Sequence, residues 1–282
     1  MKQKLKLLIF LLLILSPFIS AQAEENKTVL IAILAKNKAH VLEKYLQCIE
    51  QLDYDKKLIT IYINTNNNQD RTEEILYDWA CQNQEEYASI DFESHHINDV
   101  EITKPHEWTI DRFKVLAKIR NKSLSKAKEY GCDYYFVIDC DNFLEPCTLK
   151  TLVNKDKPII APMLWSIPEK QDPYSNYFCA INDNGYYAYH PDYAEILFRR
   201  VIGTFEVPVV HCTYLIKTEY IDLLSYIDGS EDFEFVIFSR TARNNGIEQF
   251  ICNEEYFGTL LHFYNDVTLE EETQRFQNIQ WN

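Results

Sequence analysis

Two aspartates that directly follow an apolar run are the first residues whose types and spacing could do chemistry. The segment YYFVI at 134–138 leads into Asp139, Cys140 and Asp141. Side chains alternate along an extended chain, so both carboxylates point the same way. They are costly at the end of a buried strand unless something binds them, and carboxylate oxygens suit Mg²⁺ or Mn²⁺. The motif predicts a metal ion bridging the diphosphate of a sugar nucleotide; the alternative is a solvated turn.

A second acidic pair, Glu231 and Asp232, precedes the apolar segment FEFVIF. An acceptor hydroxyl that attacks a sugar carbon must lose its proton, and a carboxylate can take it. The pair therefore predicts a general base, with Asp232 preferred. The alternative is that it only caps a helix, since acidic residues favour helix N-termini.

Further polar side chains could complete such a site. His211 and His262 are the histidines that could be ligands, and His262 could fold back to the metal, although a lone histidine is more often structural. Arg120 stands in an apolar helical pattern, which favours contact with a phosphate or a buried carboxylate. The tyrosine-rich region 165–206 predicts an acceptor platform, because aromatic faces stack on sugars, or else an aromatic core.

Strands that alternate with helices must position these residues. Strands are predicted at 28–34, 58–63, 88–93, 134–138, 158–164, 207–216 (interrupted at Pro208) and 249–253, and helices at 39–52, 70–79, 111–130, after Pro146, and at 231–246. This alternation indicates an α/β fold with a mostly parallel central sheet and helices on both faces. Ligands bind beyond the carboxyl ends of such strands, so the loop NTNNNQD at 64–70 should lie beside Asp139 and Asp141.

Composition limits the class of partner and the compartment. The formal net charge of −15 argues against a nucleic-acid partner, because phosphate backbones require a basic face. Residues 1–23 hold Lys2, Lys4 and Lys6, a short apolar run and Ala21-Gln22-Ala23, which predicts a cleaved signal peptide rather than a retained anchor. Export would be to a periplasm or the exterior in a bacterium, or to the endoplasmic reticulum lumen in a eukaryote. Residues 24–282 are then predicted to form a single domain with no stable membrane span. The eight cysteines include no C-x-x-C pair, and their disulfide pairing cannot be chosen.

The chain resembles the N-terminal glycosyltransferase domain of the procollagen galactosyltransferases and their relative, the cerebral endothelial cell adhesion molecule. The matching stretches are collinear from about residue 28 to 258: TVLIAILAKNKAHVLEKYLQCIEQLDY, TEEIL, the Trp108-x-x-x-Arg112-Phe113 spacing with Arg120, DYYFVIDCDNFL, IIAPMLWS, YSNYFCAI, PDYAEI, VPVVHCTYLI and QFICN.

This resemblance implies a GT-A fold, a UDP-sugar donor, Mn²⁺ (or Mg²⁺), and transfer of a hexose, most simply galactose, to a hydroxyl such as hydroxylysine with inversion. It assigns the metal to Asp139 and Asp141 and the acidic pair to Glu231 and Asp232. The nucleotide side is assigned to Ala35, Asn37, Asn66 and Asp70.

Three departures from the family pattern stand out. Asn66 replaces an aspartate and Cys140 replaces an apolar residue, and the family enzymes carry a second glycosyltransferase domain. The alternative function is a non-catalytic carbohydrate- or collagen-binding module that uses the tyrosine-rich groove.

Overall fold

An eight-stranded sheet organises the chain. The computed structural model describes residues 27–97, 109–167, 174–261, 267–279 and 281, so the predicted signal peptide and His262 lie outside the described residues. The strands are β1 (Val29–Ala35), β2 (Ile59–Asn66), β3 (Ser89–His95), β4 (Tyr134–Ile138), β5 (Asn142–Leu144), β6 (Ile159–Pro162), β7 (Trp165–Ser166), β8 (Tyr177–Phe178), β9 (Ala180–Ile181), β10 (Tyr187–Ala188), β11 (Thr204–Glu206), β12 (Val209–Val210), β13 (Thr213–Lys217), β14 (Gln249–Cys252) and β15 (Gly258–Leu260). The helices are α1 (Ala39–Glu50), α2 (Thr72–Asn83), α3 (Ile110–Glu129), α4 (Thr148–Lys155), α5 (Pro191–Leu197), α6 (Glu234–Asn244) and α7 (Leu269–Gln277), with short 3₁₀ turns at Lys56–Leu58 and Thr218–Leu223.

The central sheet is mostly parallel, as predicted. Its strand order is β3-β2-β1-β4-β13-β6-β14-β11. Only β13 and β11 run against their neighbours, while β1, β2, β3 and β4 are mutually parallel. The carboxyl ends of β1, β2 and β4 therefore meet at one edge of the sheet.

Helices cover both faces of the sheet, which explains why its strands are continuously apolar. Along β4, Tyr134, Phe136 and Ile138 pack in the core that contains α1, whereas Tyr135 and Val137 pack in the core that contains α3 and α6. Burying such a side chain stabilises the fold by about 1.5–3 kcal/mol. The rigid two-sided core holds the end of β4, and with it Asp139.

Backbone and side-chain hydrogen bonds fix the segment after β4. The buried Tyr45 hydroxyl donates to the Ile138 carbonyl oxygen at 2.9 Å. The amide of Leu261 donates to the Asp141 carbonyl oxygen at 2.9 Å, and the side-chain amide of Asn142 donates to the Thr213 hydroxyl at 2.7 Å. The buried Cys140 packs in the core that contains α1.

The predicted strand at 207–216 is instead two strands. β12 pairs with β8 outside the central sheet, and β13 pairs with β4 and β6 inside it. The break falls at His211 and Cys212 rather than at Pro208. Cys212 has φ 63°, a left-handed conformation that is unfavourable for a residue with a Cβ atom.

Two predicted helix starts are displaced. Helix α2 begins at Thr72, two residues after the predicted start, and Arg71 is its N-cap. Helix α6 begins at Glu234, so Glu231 and Asp232 precede it. Within the ranges the structure describes, no helix is both long and apolar enough to cross a membrane.

Gly258 in β15 allows the strand to lie against β5, the strand that follows Asp141. A Cβ atom added at Gly258 would lie 2.0 Å from the Phe143 carbonyl oxygen, whereas one added at Gly229 would meet nothing within 4 Å. Both glycines have a positive φ. The two positions therefore share the backbone strain that a side chain would cause and differ in the space around it.

We predict that Gly229→Ala costs about 1–2 kcal/mol through strain alone. Gly258→Ala should cost at least about 3 kcal/mol, because backbone must also move to admit the methyl group. Urea denaturation of both variants measures this difference in the free energy of unfolding, and equal losses would contradict the close approach of β15 to β5.

Candidate active site

A cavity of about 520 Å³ opens at the carboxyl edge of the sheet. Its lining includes residues at and just after the carboxyl ends of β1, β2 and β4, the first half of α3, the break between β12 and β13, and the start of α6. Among the predicted site residues, the cavity brings together Ala35, Asn66, Arg120, Asp139 and Asp141.

Four buried side chains that line the cavity have polar atoms without a hydrogen-bond partner in the described part of the chain. These atoms are Asn64 Oδ1, Arg120 Nε and Nη1, His211 Nε2 and Glu234 Oε2. Buried polar groups are almost always satisfied, and leaving one unsatisfied costs about 1–3 kcal/mol. Their convergence on one cavity indicates a site that receives a polar ligand.

The two aspartates after β4 each use one carboxylate oxygen within the protein. Arg120 Nη2 donates to Asp139 Oδ1 at 2.8 Å, and Lys38 Nζ donates to Asp141 Oδ2 at 2.9 Å. The second oxygen of each carboxylate accepts no hydrogen bond from the described residues. The Asp139 side chain is 28% exposed, which leaves it accessible from the cavity.

This donor set fits a divalent cation that a ligand helps to hold. No group of three or more His, Cys, Asp or Glu side chains among the described residues is arranged to bind a metal. Mg²⁺, however, is usually bound through one or two carboxylates, with substrate phosphates and water completing its shell. Asp139 and Asp141 supply such a pair.

The buried guanidinium of Arg120 joins Asp139 to Glu234. Its Nε atom lies 3.5 Å from Glu234 Oε1, and both side chains are almost fully buried. Burial raises the pKa of Glu234, although Arg120 opposes the shift. Burial likewise raises the pKa of Asp139, with Arg120 opposing and Asp141 reinforcing it.

The Lys38 ammonium lies between the site and the C-terminal helix α7. Burial lowers the pKa of Lys38, but the nearby carboxylates of Asp141 and Glu272 outweigh it and raise the pKa overall. Glu272 projects from α7 and lies 3.3 Å from His40 Nε2. Helix α7 thus adds a buried carboxylate behind Asp141.

Asn37 and Asp70, assigned to the nucleotide side from the sequence, do not line the cavity. The Asp70 carboxylate accepts hydrogen bonds from the amides of Ala39 and Thr72, at the starts of α1 and α2. Asn37 has φ 53°, and its side chain accepts from the Gln69 amide at 2.7 Å. Both residues hold the loops after β1 and β2 together.

Glu231 and Asp232 also lie outside the cavity lining. Glu231 is exposed and pairs with Lys114 at 3.2 Å. Both oxygens of Asp232 are used, by the hydroxyl of Tyr186 at 3.0 Å and by the guanidinium of Arg240. The hydrogen bond from Arg240 lowers the pKa of Asp232. Glu234, two residues later, is the acidic residue of this segment that lines the cavity.

The tyrosine-rich region is largely a packed aromatic layer. Tyr177 and Tyr193 stack with ring centroids 4.9 Å apart, and Tyr174 lines the cavity. Tyr189 is 81% exposed. The stacked rings confirm the aromatic-core alternative for part of this region, while the acceptor platform stays a prediction.

Lys38 and Glu234 line the cavity but were given no role in the site from the sequence, whereas Asn64 entered only as the first residue of the loop 64–70 and His211 only as a possible metal ligand. Asn64 ends the alternating pattern of β2 with a polar residue, and Glu234 is the acid that begins the amphipathic helix α6. These patterns were available as signals. His211 becomes a cavity residue only because the strand breaks beside it.

Comparison with known proteins identifies the relatives of the chain. The profile of the glycosyltransferase family 25 N-terminal domain matches residues 26–280. The chain is 36% identical to human procollagen galactosyltransferase 2 over 269 residues, which cover 91% of this chain and 42% of that protein. It is 31% identical to the human inactive glycosyltransferase 25 family member 3 over 266 residues, 89% of this chain and 44% of that protein. The chain therefore spans less than half the length of these curated relatives.

A solved structure shares the fold. The crystal structure of GalNAc-T7 with UDP, GalNAc and Mn²⁺ has a TM-score of 0.60 at 13% identity, covering 87% of this chain and 46% of that chain. At this identity the similarity shows the fold alone. The predicted GT-A fold class is confirmed.

We predict that Arg120→Met destabilises the protein by about 3–5 kcal/mol, because it leaves the buried Glu234 and the partly buried Asp139 without their shared cation. The pKa values of Asp139 and Glu234 are already raised by burial, and loss of the arginine raises them further. When the pKa of a carboxyl group is higher in the folded than in the unfolded state, the free energy of unfolding falls as pH rises from the unfolded-state pKa through the folded-state pKa. Urea denaturation should therefore show a larger deficit at pH 8 than at pH 5.

Arg200→Met is the matched control, since Arg200 pairs with Glu195 at the surface. It should change stability by less than about 1 kcal/mol. An Arg120→Met deficit that does not vary with pH would contradict the buried ion network.

Proposed function

The chain belongs to glycosyltransferase family 25, whose N-terminal domain it matches. We propose that it is a metal-dependent hexosyltransferase that uses a UDP-sugar as donor, with galactose as the first choice of sugar. The observation that carries the proposal is the cavity that combines the two aspartates after β4 with orphaned buried polar atoms. The proposed acceptor is a hydroxyl, such as that of hydroxylysine in a collagen-like protein. Human procollagen galactosyltransferase 2, by its name, acts on procollagen.

The charge of the cavity supports an anionic ligand. The chain carries a net charge of −15, yet the cavity lining has more basic than acidic side chains: Lys36, Lys38, Arg112 and Arg120 against Asp139, Asp141 and Glu234. Low-dielectric clefts concentrate the field of such groups. A diphosphate satisfies this arrangement, with Arg120 Nη1 able to donate to it.

Asp139 and Asp141 would hold Mn²⁺ or Mg²⁺, which when bound neutralises charge on the departing UDP. Ala35 and Asn66 line the cavity and would contact the nucleotide. The orphaned Asn64 Oδ1 can accept a hydrogen bond from the N–H of a uracil ring. Asn37 and Asp70 contribute by holding the two loops that form this side.

The proposed general base comes from the segment 231–234, and the geometry favours Glu234 over Asp232 and Glu231. Glu234 lines the cavity with one oxygen unpartnered, whereas Asp232 uses both oxygens in hydrogen bonds. A raised pKa also makes a carboxylate a stronger base. Direct attack by an acceptor that Glu234 deprotonates would invert the configuration of the transferred sugar.

Export remains part of the proposal through the sequence pattern of residues 1–23. A non-catalytic binding module remains the second candidate, because a relative of similar identity is named inactive. The intact pair Asp139 and Asp141 and the cavity they line favour the enzyme.

We predict that UDP binds in a Mn²⁺-dependent manner and that Asp141→Asn weakens this binding at least about tenfold, because one of two carboxylate ligands is lost. Isothermal titration with and without Mn²⁺ measures both effects. Asp183→Asn, at an exposed turn, is the control and should bind as the unaltered protein does. Binding that is absent, or indifferent to Mn²⁺ and to Asp141→Asn, would contradict the enzyme proposal.

We predict that Glu234→Gln lowers kcat for galactose transfer about 10²- to 10⁴-fold, the usual contribution of a general base. Asp232→Asn should lower it by much less. Transfer from UDP-galactose to deglycosylated collagen is the assay, and the UDP dissociation constant of each variant is the control for correct folding. A larger loss in Asp232→Asn than in Glu234→Gln would return the role to the residue preferred from the sequence.

A further inference from the structure

The break between β12 and β13 turns His211 into the cavity. The residue is only 3% exposed and lines the cavity. Its Nδ1 atom lies 2.9 Å from Cys212 Sγ, while its Nε2 atom has no hydrogen-bond partner in the described part of the chain. Cys212 next to it has a strained, left-handed backbone conformation, which persists only where the surrounding structure fixes it.

The aromatic surroundings of His211 favour contact with an uncharged group of a ligand. Three aromatic rings surround the imidazole, with centroid distances of 5.8 Å to Tyr174, 5.5 Å to Phe178 and 5.1 Å to Phe235. Burial, with the nearby Arg120, lowers the pKa of His211 to about 3, so the ring is uncharged at neutral pH. A neutral imidazole among aromatic faces suits a hydroxyl group on a sugar ring better than a phosphate.

His211 lies in a loop next to the site proposed for the sugar-nucleotide donor. The Asp139 amide donates to the Cys212 carbonyl oxygen at 3.0 Å, so the loop that carries His211 is bonded directly to the segment of the proposed metal site. Asp139, Asp141 and His211 line one cavity, so a sugar attached to a diphosphate bound near the two aspartates would lie within reach of the same cavity wall. From this geometry we propose that His211 Nε2 hydrogen-bonds a hydroxyl of the donor hexose and determines affinity for the sugar rather than for the nucleotide.

This proposal rests on the proposed function and adds a residue that recognises the sugar. Either tautomer serves. If the Cys212 thiol donates to Nδ1, then Nε2 carries the proton and donates; if Nδ1 donates to the sulfur, Nε2 accepts. A sugar hydroxyl can pair with both, since it is a donor and an acceptor.

The test compares two replacements of His211 by amide side chains, which place their polar atoms at different distances from the backbone. Glutamine reaches the position of Nε2, whereas asparagine reaches only that of Nδ1. With Mn²⁺ present, His211→Asn should weaken UDP-galactose binding at least about fivefold, as expected for one lost hydrogen bond, and leave UDP binding within about twofold. His211→Gln should bind both ligands within about threefold of the unaltered protein, because its side-chain amide retains the hydrogen bond to the sugar.

His190→Asn, which keeps a helix-capping side chain outside the cavity, is the control for loss of a histidine and should bind both ligands normally. Where His211→Asn does not fold, His211→Phe fills the imidazole volume without a polar atom and must show the same selective loss. Equal binding of UDP-galactose by the Asn and Gln variants, or equal loss of UDP and UDP-galactose, would overturn the role of His211. Absence of Mn²⁺-dependent UDP binding in the unaltered protein would instead overturn the proposed function from which it follows.

Discussion

The buried ion network around Arg120 is the interaction on which the rest of the site depends. Its guanidinium meets Asp139 at the end of β4 and Glu234 at the start of α6, while the arginine itself belongs to α3. Three elements that are distant in sequence are thereby held at one point. Buried ion pairs contribute little net stability, because desolvation offsets their attraction. The network is better understood as a device that positions two carboxylates in a cavity where, without a cation between them, they would repel each other.

The unsatisfied polar atoms of the cavity follow from the same arrangement. The Arg120 guanidinium has five donors, and two carboxylates in this geometry do not use them all. Asn64 and His211 likewise keep one polar atom each for the cavity. Real proteins break the rule of polar satisfaction mainly at functional sites and offset its cost elsewhere. Here the offset is the two-sided apolar core that fixes β1, β2 and β4.

The sequence predicts the part of the site that depends on local periodicity. Continuous apolar runs place Ala35, Asn66 and Asp139 at strand ends, and the parallel-sheet rule brings those ends to one edge. The site residues assigned from the sequence were less accurate where the exact start of a helix or the end of a strand determines which side chain faces the cavity. Helix α6 begins at Glu234, so an acidic pair typical of a helix start lies outside the cavity and the next acid lies inside. The break at His211 arises because the first part of this apolar segment pairs with β8 and the second part pairs with β4 and β6. A local sequence pattern does not predict this change of partner.

The electrostatics of the site explain why a cation and a diphosphate should bind together rather than separately. A divalent cation alone would meet Arg120 and Lys38, which already pair with Asp139 and Asp141. A diphosphate alone would meet those carboxylates, each with one oxygen that accepts no hydrogen bond from the described residues. In the proposed complex, the cation would use the remaining carboxylate oxygens and the phosphates would use the remaining guanidinium donors. Each ligand would remove the repulsion that the other meets, so the affinity of either would rise with the concentration of the other.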